Sequence, residues 1–208
     1  MKIINPKISF CEEQNIMNAY YENNFNNYHF TKNIEENITI SNQTIDSCIF
    51  ENIDFNNIDL EDINLIDDIF DNCDLSNKKF DDKMIGRVVF KNCKMLGTSF
   101  INASIKDFVI ENCSAKYLNF SNANITNMII KDTDLSETTF LETTIKNIEL
   151  NKVNLYRTDF IQTKLNGVDF STSDIFNTNF DAISLKGIII DRLQAQDLVG
   201  NLGVKIKD

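Results

Sequence analysis

The chain has no tryptophan, a single histidine, one proline and six glycines among 208 residues. With so little proline and glycine, neither a disordered chain nor a flexible linker is expected. The lone His29 leaves no second imidazole for a triad or a histidine metal cluster, and it reads as an ordinary surface or cap residue. No P-loop, dinucleotide fingerprint, CxxC or GxSxG is present, so the usual routes to phosphate, redox or acyl chemistry are missing. Carboxylates abound without a pocket to raise their pKa. The sequence therefore points away from an enzyme, with no cofactor and no metal. Apolar runs approaching the ~18 residues of a membrane span are absent, and Met1 to Phe10 lacks a signal-peptide core, so a cytoplasmic protein is expected. At pI ≈ 4.6 and without a basic stripe, direct nucleic-acid binding is not expected. Lys106, Lys146 and Lys186 share a spacing, but Thr126 and Asn166 interrupt it.

What the chain does have is a period of five. Every fifth residue from Ile40 to Ile190 is apolar, 31 in succession, and only Ala115 among them is small. Neither a helix of period 3.6 nor a strand of period 2 produces this. A short fixed period held over about 150 residues means a solenoid, in which each coil buries its inner residues against its neighbours. Two residues before each apolar centre the chain prefers side chains that can sit inside, such as Ile38, Cys48, Ile53, Cys73, Cys93, Ala103 and Cys113, and later Thr and Val. Two residues after the centre, 12 of 31 positions are Asn, the residue with a side chain best suited to left-handed backbone at a corner. The unit is two inward residues, then a corner.

This pattern resembles the pentapeptide-repeat family, of A(D/N)LXX type. The resemblance implies an all-β, right-handed quadrilateral β-helix, with five residues per side and twenty per coil. Like residues recur at that spacing: Phe80, Phe100, Phe120, Phe140, Phe160 and Phe180 make one column, Ile85 to Leu185 the next. Cys73, Cys93 and Cys113 make a third, read as buried free thiols; a single file cannot surround zinc tetrahedrally.

Along the chain, residues 1–37 precede the strict register and read as a cap or an irregular first coil. Ser9 and Glu12 suggest a capping box for a short helix over about Phe10 to Tyr21. Residues 38–190 are the repeat. Asp68, Lys78 and Lys83 fall on inward positions, where charge is costly, so a bulge or local loop is expected within 66–87. Ile49, Ile69, Val89, Val109 and Ile129 should point outward as a β-branched stripe, available to the N-terminal arm or to a partner. In residues 191–208, Leu193, Leu198, Val199 and Leu202 read as one face of a closing helix, Gly203 as its C-cap, and Val204 with Ile206 as a short strand. These six apolar residues, Leu193 through Ile206, form the expected dimer interface.

Charge is uneven. Residues 1–87 carry 17 acids and 7 bases, whereas residues 88–208 carry 14 and 13. A partner-facing acidic surface is expected at Asp54, Asp59, Glu61, Asp62, Asp71, Asp74, Asp81 and Asp82.

Within its family the chain is similar to the quinolone-resistance (Qnr) group. The matching stretches are FKNCKMLGTSFINASIKDFVIENCSAKYLNF, from Phe90 to Phe120, and LKGIIIDRLQAQDLVGNLGVKI, from Leu185 to Ile206. That resemblance implies a homodimer joined through the C-terminal ends. It further implies a DNA-shaped rod that binds DNA gyrase and topoisomerase IV and protects them from fluoroquinolones or peptide toxins. The near-unbroken register leaves little room for the large loops that many members of that group carry. A rod scaffolding some other protein partner is the alternative, as is an immunity protein against a gyrase-targeting peptide toxin.

Overall fold

A computed structural model describes residues 2–201 and 204. Short parallel strands stack coil on coil with a register of twenty residues. β2 (Tyr28–Phe30) pairs β4 (Ile49–Glu51), which pairs β6 (Ile69–Asp71), then β7 (Met84–Lys91), β8 (Ser104–Glu111), β9 (Asn124–Lys131) and β10 (Thr144–Asn151). On an adjoining side β3 (Ile38–Asp46) pairs β5 (Ile58–Ile66), which reaches β7. On another side of the rod a column of single bridges runs from Asp54↔Asp74 through Asp134↔Asn154 to Asn154↔Asp174. The result is a right-handed quadrilateral β-helix.

The five-residue rule has a direct physical basis. Of the 31 centres, 27 are buried and the other four, Ile145, Phe180, Leu185 and Ile190, are partly buried against the same core. Corner residues two places on adopt positive φ, including Asn52 (60°), Asn72 (54°), Asn92 (55°) and Asn112 (54°). Their side chains also form ladders: Asn72 Nδ2 donates to Asn52 Oδ1 at 2.6 Å, and Asn112 Nδ2 to Asn92 Oδ1 at 2.6 Å. Phe100, Phe120, Phe140 and Phe160 stack with centroids 4.9–5.0 Å apart, and a second stack runs Phe30, Phe50, Phe70, Phe90 at 4.9 Å.

Small polar side chains two residues before the centres serve the backbone. Thr98 Oγ1 donates to Leu75 O at 2.9 Å, Thr158 Oγ1 to Leu135 O at 3.0 Å and Thr178 Oγ1 to Leu155 O at 2.7 Å. The cysteine column does the same: Cys73 Sγ reaches Phe50 O and Cys93 Sγ reaches Phe70 O, both at 3.3 Å. All five cysteines are free thiols, four of them buried.

Three expectations are corrected. No loop interrupts residues 66–87, since Leu65↔Ile85, Ile66↔Gly86 and Phe70↔Phe90 pair in register. Asp68 instead sits fully buried in the coil, accepting from Cys48 N at 2.9 Å and Ile66 N at 3.0 Å, so its oxygens find partners without backbone deviation. Lys78 and Lys83 run their stems inside and bring their ammonium groups out to Asp59 and Asp62. The N-terminal helix is shorter and later than expected. α1 (Ile16–Glu22) is capped by Asn15, whose side chain accepts from Met17 N, while Glu12–Glu13 form β1 against β2. Asn15 competes better than Ser9 because it lies directly before the apolar residues Ile16 and Ala19, which bury against the first coil. The third correction concerns α2 (Arg192–Asn201). Five residues along a helix turn through about 500°, so Leu193 and Leu198 lie on different faces. Leu193 is 71% exposed, whereas Leu198 is 8% exposed.

Candidate partner-binding surface

Each outward acid is placed by its position in the five-residue unit. Asp59, Glu61 and Asp62 lie on one side of the coil centred on Leu60, and Asp81 and Asp82 follow one coil later around Phe80. These five acids form one face. Asp54 and Asp74 stack as a bridge pair on the next side of the rod, with Lys94 above them. Asp71 stands apart, pairing with Lys91 in the ladder beyond β6.

Much of this acidity is engaged within the rod. Asp59 meets Lys78 at 3.6 Å, Asp62 meets Lys83, and Asp74 meets Lys94 at 3.9 Å. Asp71 Oδ1 accepts from Asn92 Nδ2 at 2.7 Å, and Asp82 Oδ1 from Asn102 Nδ2 at 3.0 Å. Asp81 Oδ1 accepts from Ile101 N at 2.9 Å and from the Ser99 hydroxyl, and Asp54 Oδ1 caps Asn56 N at 2.9 Å. The acids remain at the surface, but their lone pairs also fix corners and neighbouring coils. Exposed pairs of this kind contribute little stability, typically ~0–1 kcal/mol.

A second charged cluster was not legible in the sequence. The corner column Ser47, Asp67, Arg87, Asp107 is crossed by the N-terminal arm. Ile4 N donates to Asp107 Oδ1 at 3.3 Å, Lys7 N to Asp67 Oδ1 at 2.8 Å, and Cys11 Sγ to Ser47 O at 3.1 Å. Arg87 forks onto both oxygens of Asp67. That guanidinium holds the Asp67 carboxyl below the usual carboxylate range. Burial pushes Asp68, next in the chain, well above it. The only signal in the sequence was Arg87 and Asp67 at one corner register, twenty apart. The Ile/Val stripe beside this column is half-buried at Ile49, Ile69, Val89, Val109 and Ile129.

At the other end, α2 closes the last coil. Gln194 Nε2 donates to Phe170 O at 2.8 Å and Ser173 O at 2.7 Å. It thus imitates the Thr and Cys side chains of the regular coils, a role the sequence reading did not assign. Of the expected dimer residues, Leu193 is free on the surface, Leu198 packs inward, Val199 is half-buried and Val204 is exposed. Leu202, Gly203 and Ile206 lie outside the described residues. A hollow of about 550 Å³ opens beside α2, lined in part by Glu137, Arg157, Phe180, Leu185 and Leu198. Among the described residues, no group of three or more His, Cys, Asp or Glu is placed to hold a metal ion. No helix among them is long and apolar enough to cross a membrane.

Two family models match, one described as a pentapeptide repeat region over residues 65–140 and one as pentapeptide repeats over residues 154–190. Between them they take in more than half the chain, which belongs to the pentapeptide-repeat family. No curated protein matches. Among solved structures, full-length QnrB1, described as a plasmid-mediated fluoroquinolone resistance protein, is 20% identical with a TM-score of 0.44, covering 86% of this chain and 89% of its own. HetL, a pentapeptide repeat protein involved in heterocyst differentiation regulation from the cyanobacterium Nostoc, is 15% identical with a TM-score of 0.41, covering 84% and 90%. At these identities and scores neither likeness carries a statement about function.

Proposed function

We propose that this protein is a DNA mimic that binds DNA gyrase and topoisomerase IV and protects them from fluoroquinolones, an antibiotic-resistance role. In this reading it acts in the cytoplasm, without catalysis, as a homodimer joined through its C-terminal ends. The observation that carries the proposal is the resemblance of Phe90 to Phe120 and Leu185 to Ile206 to the Qnr group, borne on a rod whose register is unbroken. Gyrase and topoisomerase IV grip duplex DNA, and a rigid rod with outward carboxylates in columns substitutes for it in form.

Magnitudes favour shape over charge. The repeat makes a rod roughly 36 Å long at strand spacing. DNA of that length carries roughly 21 phosphates, at one per ~1.7 Å. The chain has a net charge of −11, and nearly all of it belongs to residues 1–87. In a dimer joined at the C-termini the acidic coils form the tips, with a nearly neutral middle.

Displacement of labelled duplex DNA from gyrase by increasing amounts of this protein tests the reading. Competition at micromolar dimer is expected. DNA left fully bound would reject it. The engagement of Asp59, Asp62, Asp71, Asp74 and Asp82 within the rod favours a second reading, a scaffold for another protein partner. An immunity protein against a gyrase-directed peptide toxin would share the DNA competition and differ in the agent resisted.

A further inference from the structure

We infer that the corner column of Asp67, Arg87 and Asp107 is a docking groove for an extended, basic and apolar peptide segment, with the chain's own N-terminal arm as its displaceable occupant. The arm reads KIINPKISF from Lys2 to Phe10, with two lysines, three isoleucines and no acid. It lies against two carboxylates, Asp67 and Asp107, which with Asp46 are gathered around the guanidinium of Arg87. The charges of arm and seat are therefore complementary.

The seat reads an extended main chain. Ile4 N is held by Asp107 and Lys7 N by Asp67, two coils lower. Two coils span roughly 9.6 Å and three extended residues roughly 10 Å, so arm and column keep step. Both contacts are made by backbone N–H groups, so they suit any extended segment of the right charge. The arm itself fills the seat incompletely. Asp107 is 1% exposed; its Oδ1 takes Ile4 N and Asn127 Nδ2, while its buried Oδ2 has no hydrogen-bond partner among the described residues. A buried acceptor left unpaired is costly, and a cationic group on an incoming segment would satisfy it. Meanwhile Ile4 is 46% and Phe10 72% exposed, so the arm gains little from apolar burial.

The test uses the full chain and a fluorescein-labelled peptide KIINPKISF. In an Ile4→Pro, Lys7→Pro variant both anchoring N–H groups are lost while every coil residue is kept. Fluorescence anisotropy should show saturable peptide binding to this variant at a concentration at least tenfold lower than to the unaltered chain. Adding Asp107→Asn should weaken that binding at least threefold, and a peptide with both lysines changed to glutamate should not bind. Equal binding to the variant and the unaltered chain, or no binding to the variant at millimolar protein with its circular dichroism unchanged, overturns the inference. A second measurement keeps the unaltered chain: saturating peptide should speed hydrogen exchange of the Lys7 amide, and an unchanged rate overturns the inference as well.

Discussion

Gln194 holds the open end of the rod, and its replacement by alanine tests how such an end is closed. Gln194 is 8% exposed, and its side-chain amide donates to Phe170 O and Ser173 O. Alanine leaves Ser173 O without its donor, while Phe170 O keeps Ser173 N at 2.9 Å. An acceptor orphaned in this way costs about 1–3 kcal/mol. Because stability in a solenoid is nearly a sum over neighbours, this loss should fall on the last coils alone. Native-state hydrogen exchange reads it directly. The Phe170 amide, bonded to Ile189 O, and the Ile189 amide, bonded to Val168 O, should lose protection by about 5- to 150-fold. The Phe120 amide, bonded to Thr139 O in a middle coil, should be unchanged. Unaltered protection at Phe170, or an equal loss at Phe120, would refute the reasoning.

Phe120→Ala removes a buried ring stacked between Phe100 at 5.0 Å and Phe140 at 4.9 Å, and should destabilise by about 3–5 kcal/mol in urea unfolding, against less than about 1 kcal/mol for the half-exposed Phe176→Ala. Asp68, held above the ordinary carboxylate pKa by burial, contributes stability that is full below about pH 3.9 and is lost as pH rises through its folded pKa. In Asp68→Thr the hydroxyl can still accept from Cys48 N, as Thr133 Oγ1 does from Cys113 N, and urea midpoints from pH 4 upward should lose that decline. Asp67, depressed chiefly by its hydrogen bonds from Arg87, has the opposite sign: its contribution is present above about pH 3.9 and lost as pH falls through its folded value, so the Lys7 amide should exchange faster there. Burial raises the Cys48 thiol, and the hydrogen bond shared with Cys93, then burial, raise Cys73 and Cys113. Burial raises the Cys11 thiol as well, so exposure decides: a chromogenic thiol reagent should modify the half-buried Cys11 in the native protein and the three buried thiols only after unfolding.

The fold was legible because a solenoid repeats one short-range rule thirty-one times. Each Phe or Ile centre meets its like twenty residues on, so composition at a fixed spacing is also contact. Asn at the corners carried the backbone geometry in the same way. Legibility ended where the rule meets something outside it. Asp68 was legible as inward but not as tolerated, because the two amides that satisfy it belong to Cys48 and Ile66 and depend on three-dimensional register. The arm contacts at Asp67 and Asp107 join residues 60 and 103 apart with no shared period. Helical spacing alone misassigned α2, since a single turn docked on a coil presents Gln194 and Leu198 inward and leaves Leu193 out. The acidic face was legible as charge, while its engagement by Lys78, Lys83 and the Asn ladders appeared only once the coils were stacked.

The central functional claim is most directly tested by gyrase supercoiling across a titration of the protein, with and without a fluoroquinolone. The account predicts that supercoiling blocked by the drug returns as the protein is added. No change in supercoiling at micromolar dimer, in either condition, would contradict it.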